Sequence, residues 1–135
     1  MTVLDTSGAV DFLLGTGAAE QVEMLIMQEG ELAAPDLLVF EVIAVLRRMT
    51  FAGGLRERRA AAAVEDLGDM PLAFFSSLHL RDRAWALRHN LTAADALFAA
   101  LAEVLDEPLA TKDAALAAAL ARHTDLVIVS LRTSA

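Results

Sequence analysis

The chain has 135 residues, of which 56% are hydrophobic and 22% charged, which excludes an intrinsically disordered polymer and suits one domain spanning residues 1–135. It contains no Cys, so disulfide frameworks, thiolate zinc sites and thiol nucleophiles are excluded. The formal net charge of -8, taken as a total, argues against a nucleic-acid partner.

In chain order, residues 2–4 read as a short buried strand cut by Asp5-Thr6-Ser7, a natural helix entry. A short helix over residues 9–14 stops at Gly15-Thr16-Gly17, and a second over 18–28 is closed by Gly30. Residues 31–34 form a strand ended by Pro35. A strongly apolar helix over 36–50 stops at Gly53-Gly54, and an Ala- and Arg-rich helix over 55–67 stops at Gly68. A short strand at 71–75 precedes two helices, 79–90 and 92–105, the second ended by Pro108. A strand at 109–111, an Ala-rich helix at 113–122 and a closing strand at 126–129 follow.

Strands alternating with helices imply an α/β fold, with a mainly parallel central sheet of four to five short strands flanked by helices. In such sheets ligands bind outside the carboxyl ends of the strands. The longest stretch free of Asp, Glu, Lys and Arg is 11 residues, 70–80. That is short of the roughly 18 residues a membrane span needs. Asp5, with no base nearby, stands where a secretory signal would be basic. A cytoplasmic protein without a membrane partner is expected.

The charge is distributed unevenly. Residues 1–46 carry eight acids and no Lys or Arg, and residues 47–135 carry 11 acids and 11 bases. Four of the acids stand out by position. Asp5 ends the first strand, where it serves as a helix cap or, with Ser7 capping instead, stays free. Glu41 sits in the apolar helix with Leu37, Leu38, Ala44 and Val45 at helical spacing, none of which pairs with a carboxylate. A carboxylate on an apolar face costs free energy unless it meets a cation or a metal. Asp95 follows Thr92 as the third residue of a helix, close to a capping box. Asp113 follows the strand at 109–111, and a helix cap accounts for it equally well. Strand exits and helix entries share one end of a parallel sheet, so the four acids converge there. Four neighbouring carboxylates repel one another and do not all stay ionised unaided. All-oxygen ligation of Mg²⁺ or Mn²⁺ resolves this, and two such ions about 4 Å apart suit phosphodiester cleavage.

These segments resemble those of PIN-domain nucleases. The opening Val3-Leu4-Asp5-Thr6-Ser7 is similar to the family's start, and residues 34–42 with Val45-Leu46-Arg47-Arg48 are similar to the helix carrying its second acid. Leu91-Thr92-Ala93-Ala94-Asp95-Ala96-Leu97 and Leu109-Ala110-Thr111-Lys112-Asp113 resemble the segments with the third and fourth. Ala84-Trp85-Ala86-Leu87-Arg88-His89 before Leu91-Thr92 also fits VapC toxins of bacterial toxin–antitoxin pairs. The resemblance implies a PIN-like fold and an endoribonuclease dependent on Mg²⁺ or Mn²⁺. It implies hydrolysis of RNA to a 5′-phosphate and a 3′-hydroxyl, neutralisation by a small VapB-type antitoxin, and a homodimer. The catalytic and metal-ligating acids it implies are Asp5, Glu41, Asp95 and Asp113, supported by the hydroxyls of Ser7, Thr6 and Thr111. Ala44 stands where the family often has Asn, and Ala94 where it often has an aromatic residue. Asp5→Ala is expected to abolish cleavage with little loss of fold, and the antitoxin to carry a basic side chain into the acid pocket.

Other residues admit two readings. Arg47, Arg48, Arg56 and Arg59 either hold RNA phosphates or form a solvated face, with Arg58 and Arg59 pairing with Glu57, Glu65 and Asp66. Trp85, with Leu78 and His89 as helical neighbours, is expected half-buried in the core rather than serving as a base-stacking platform. The five Met residues are expected to fill core gaps. The alternative function is a catalytically weak PIN-like interaction module acting through its antitoxin complex, for example in co-repression.

Overall fold

Every strand of the computed structural model, which describes residues 1–132, runs parallel to its neighbours. The strands are β1 (Val3–Leu4), β2 (Leu32–Pro35), β3 (Leu72–Phe75), β4 (Leu109–Thr111) and β5 (Ile128–Ser130), in the order β3-β2-β1-β4-β5. The register pairs Val3 with both Ala33 and Leu109, which makes β1 the centre of the sheet. Its two residues, like all of β2 and β4, are buried, as a strand covered on both faces requires.

The helices are α1 (Thr6–Leu14), α2 (Ala19–Glu29), α3 (Leu37–Phe51), α4 (Glu57–Leu67), α5 (Arg81–Ala86), α6 (Ala93–Leu105) and α7 (Ala114–His123). Leu4, Leu32, Leu38, Phe98, Leu101, Leu109 and Leu120 form the centre of the core. Helix α6 is buried along Phe98–Ala102 because it packs across β1, β2 and β4. Its small Ala side chains admit that approach, and Phe98 fills the remaining space at a contribution of roughly 1.5–3 kcal/mol.

The expected α/β architecture is the observed one, with three local corrections. Helix α1 starts at Thr6 rather than residue 9, because Asp5 itself caps it and Ser7 does not. The helix expected over 79–90 is broken into a 3-10 turn, Ser77–Leu80, the six-residue α5 and a series of turns. At the start of this segment Asp36 Oδ1 accepts from Ser77 N at 3.1 Å and Ser77 Oγ at 2.6 Å, tying the end of β3 back to the entry of α3. The third correction concerns orientation. Leu80 and Leu87 point into the core, which turns Trp85 outward to 68% exposure. Of the methionines, Met70 is buried, whereas Met24 and Met27 lie exposed on α2.

Candidate functional site

Asp5, Glu41, Asp95 and Asp113 line one cavity of about 410 Å³ at the carboxyl ends of β1 and β4. Four different elements deliver them. Asp5 caps α1, Glu41 comes from the second turn of α3, Asp95 from the first turn of α6, and Asp113 caps α7.

Asp5 is held most firmly, at 6% exposure. Its Oδ1 accepts from Ser7 Oγ at 2.7 Å and from Gly8 N at 3.2 Å. Its Oδ2 accepts from the buried Thr111 hydroxyl. That Thr111 oxygen also accepts from Asp113 N at 3.0 Å, so one hydroxyl links the exits of β1 and β4. Burial raises the Asp5 carboxyl above its ordinary value, against the hydrogen bonds of Thr111, Ser7 and Gly8, and the charge of Asp113 adds to the rise. Glu41 Oε1 accepts from Thr6 Oγ1 at 2.6 Å, so each of the three predicted hydroxyl residues contacts an acid of the cavity.

Asp95 and Asp113 are held differently. Thr92 caps α6 by accepting from the Asp95 N–H at 3.1 Å, a bond that uses the backbone of Asp95. Burial raises the Asp95 carboxyl, the Thr92 hydroxyl opposes this, and the charges of Asp113, Asp5 and Glu41 raise it further. All four acids therefore sense one another at this point. Asp113 Oδ1 caps α7 by accepting from Leu116 N at 3.0 Å and is otherwise exposed.

Two further charged residues line the cavity wall, Asp11 and Lys112. Asp11 is buried, and its Oδ2 accepts from Ala18 N at 2.9 Å and Lys112 Nζ at 2.7 Å. Gly17, with φ of 52°, lets the loop fold onto this carboxylate; a side chain there would occupy the carboxylate's place. The signal was present in the sequence: Asp11 interrupts the apolar run Ala9-Val10-Phe12-Leu13 much as Glu41 interrupts α3. The Arg residues stand apart, and none of Arg47, Arg48, Arg56 or Arg59 lines the acid cavity. Arg47 lies 4.4 Å from the Phe51 ring centroid, and Arg59 donates to the Leu13 carbonyl at 2.8 Å. Among the described residues, no ion pair joins Arg58 or Arg59 to Glu57, Glu65 or Asp66.

By donor chemistry the cavity suits a hard divalent cation: carboxylate oxygens from four elements, two of them with raised carboxyls, and a lone cation in the wall already engaged by Asp11. As the side chains stand, no three acids among the described residues close on a single point. Mg²⁺ keeps several waters and takes one or two carboxylates directly, so acids spaced around a wet cavity still fit it.

The family profile described as PIN domain matches residues 2–122. Ribonuclease VapC1 of Mycobacterium tuberculosis is 41% identical over 118 residues, covering 87% of this chain and 89% of that protein. The fold is similar to the crystal structure of PAE2754 from Pyrobaculum aerophilum, with a TM-score of 0.68 and 22% identity over 95% of this chain and 82% of that one. It is also similar to FitAcB from Neisseria gonorrhoeae, with a TM-score of 0.59 and 18% identity over 96% of this chain and 97% of that one.

Proposed function

The chain belongs to the PIN-domain family, among its VapC-type members, and from that premise we propose that it is a Mg²⁺- or Mn²⁺-dependent endoribonuclease toxin neutralised by a small VapB-type antitoxin. The observation that carries this reading is the gathering of Asp5, Glu41, Asp95 and Asp113 around one cavity. Asp5, Asp95 and Asp113 would hold the ion directly or through water, and Glu41 would complete the set or orient the attacking water. When bound, such an ion supplies Lewis acidity that activates water and offsets charge on the leaving oxygen.

The remaining work falls to the chain's own groups. The Thr111 and Ser7 hydroxyls favour the ionised form of Asp5 and fix its orientation, and Thr6 does the latter for Glu41. Lys112, anchored by Asp11, offers positive charge at the cavity wall to an RNA phosphate. Water attacks phosphorus, the bond to the 3′ oxygen breaks, and the products carry a 5′-phosphate and a 3′-hydroxyl. Arg47, Arg48 and Arg56 have no carboxylate partner among the described residues and supply phosphate contacts farther along the strand. Arg59 shares that role with its hold on Leu13.

The partner assignment has its own support. Phe40, Ile43 and Phe51 lie exposed on α3, and apolar side chains presented in this way suit a protein partner. The antitoxin would bring a basic side chain to the acids, where a cation substitutes for the metal. A cytoplasmic homodimer completes the reading. No helix among the described residues is long and apolar enough to cross a membrane.

The test is RNA cleavage by the chain freed of its partner, with Mg²⁺, with Mn²⁺ and with EDTA. Metal-dependent cleavage that Asp95→Asn lowers more than about 100-fold supports the reading. Absence of cleavage with either metal, or an Asp95→Asn variant indistinguishable from wild type, overturns it.

A further inference from the structure

The chain's only tryptophan is 68% exposed, although tryptophan is on average a highly buried residue. Trp85 stands over a cleft of about 300 Å³ between α5 and the start of α6, lined by Arg81, Arg88, Leu91 and Leu97 and by no carboxylate. The Arg88 guanidinium lies 4.5 Å from the indole centroid. Arg88 donates to the Trp85 carbonyl at 3.0 Å and Arg81 to the Leu78 carbonyl at 2.8 Å, and neither joins an ion pair among the described residues. The contrast on the same helix is Arg83, which Glu103 engages at 2.6 Å. An apolar floor, an open aromatic side chain and two guanidiniums without acids form the chemistry that binds an unpaired nucleotide. The base stacks on the ring and the phosphate meets the cations.

The position of the cleft strengthens this. Ala93 and Leu97 wall the cleft, whereas Asp95 and Phe98 wall the acid cavity. At 3.6 residues per turn these pairs lie on different sides of the same first turns of α6, a helix about 10–12 Å across. With its scissile phosphate at Asp95, a strand crossing that helix end would bring a flanking base towards Trp85.

We infer that the cleft formed by Trp85, Arg81 and Arg88 is a subsite that holds an unpaired base flanking the cut. The inference rests on the ribonuclease reading and adds a binding subsite to it. A base within a duplex has both faces covered and offers nothing to the indole. The two unpaired cations favour a polyanion over an apolar protein segment as occupant.

Because Trp85 is the only tryptophan, its fluorescence reports the event directly. The full chain in EDTA is titrated with a short mixed-sequence RNA strand, with a duplex of equal length and with tripolyphosphate. The single strand is expected to quench the emission saturably, and the other two to leave it nearly unchanged. Trp85→Ala should weaken binding of a labelled strand about tenfold, with Trp85→Phe recovering most of it. With metal present, Trp85→Ala should raise KM more than it lowers kcat. If RNA binds wild type and Trp85→Ala equally and leaves the emission unmoved, the subsite is refuted while the ribonuclease reading stands. If Trp85→Ala converts a dimer to monomers in light scattering with RNA affinity unchanged, the cleft is a seam between copies and the proposal falls. If no RNA binds and none is cut, both readings fall.

Discussion

The two halves of the acid cavity are built differently. On one side, Asp5 and Glu41 are gripped by hydroxyls, and Asp5 also caps α1 and bridges through Thr111 to β4. On the other, Thr92 alone engages Asp95, and burial together with three neighbouring charges opposes its ionisation against that one hydroxyl. The gripped half serves the fold as well as the site. The loose half costs the fold stability and is free to adjust around an ion. Catalysis and stability should therefore separate on one side and stay coupled on the other.

Asp95→Asn should break the comparison most visibly. Cleavage should fall more than about 100-fold, while the metal-free chain gains about 0.5 kcal/mol once solvent screening of this half-exposed group is allowed for, because the change removes a charge that burial disfavours and that Asp113, Asp5 and Glu41 repel. Chemical denaturation in EDTA reads the gain directly. Asp5→Ala should lose both properties. It removes a helix cap and strands the Ser7 and Thr111 hydroxyls, which should cost about 2 kcal/mol of stability as well as activity. That is more than the little loss of fold expected from the sequence.

Thr111→Val tests the bridge between the halves. Losing one buried hydroxyl that serves both Asp5 and the Asp113 N–H should cost about 1–1.5 kcal/mol in denaturation. Cleavage should drop about 10–100-fold, as expected when a supporting group of a metal site is removed. Asp11→Asn should have the smallest effect, about 1 kcal/mol, from weakening the hold on Lys112. The ion response should survive, since Asp11 already spends its carboxylate on Ala18 and Lys112. Loss of that response would place Asp11 among the ligands and blur the contrast between the halves.

Much of this was legible in the residues. The strand and helix order followed from short apolar runs punctuated by Gly and Pro, and strand exits placed Asp5 and Asp113 together. Glu41 announced itself as an acid without a helical partner. The double role of Asp5 was less accessible, because its cap and its bridge depend on Thr111, 106 residues away. Trp85 was misread for a similar reason. Its orientation follows from which side chains of this segment, Leu80 and Leu87, are drawn into the core, a tertiary choice that leaves no local pattern. Asp11 could have been found by the argument used for Glu41, an acid interrupting an apolar helix.

The central claim is that four carboxylates, mutually repelling in the free chain, are completed by a divalent ion. Thermal melting of wild type and Asp95→Asn, each in EDTA and in Mn²⁺, tests it most directly. The account predicts a crossing: Asp95→Asn melts higher in EDTA, and Mn²⁺ raises wild type above it while leaving the variant nearly unmoved. Equal shifts in both proteins, or no shift in wild type, would contradict it.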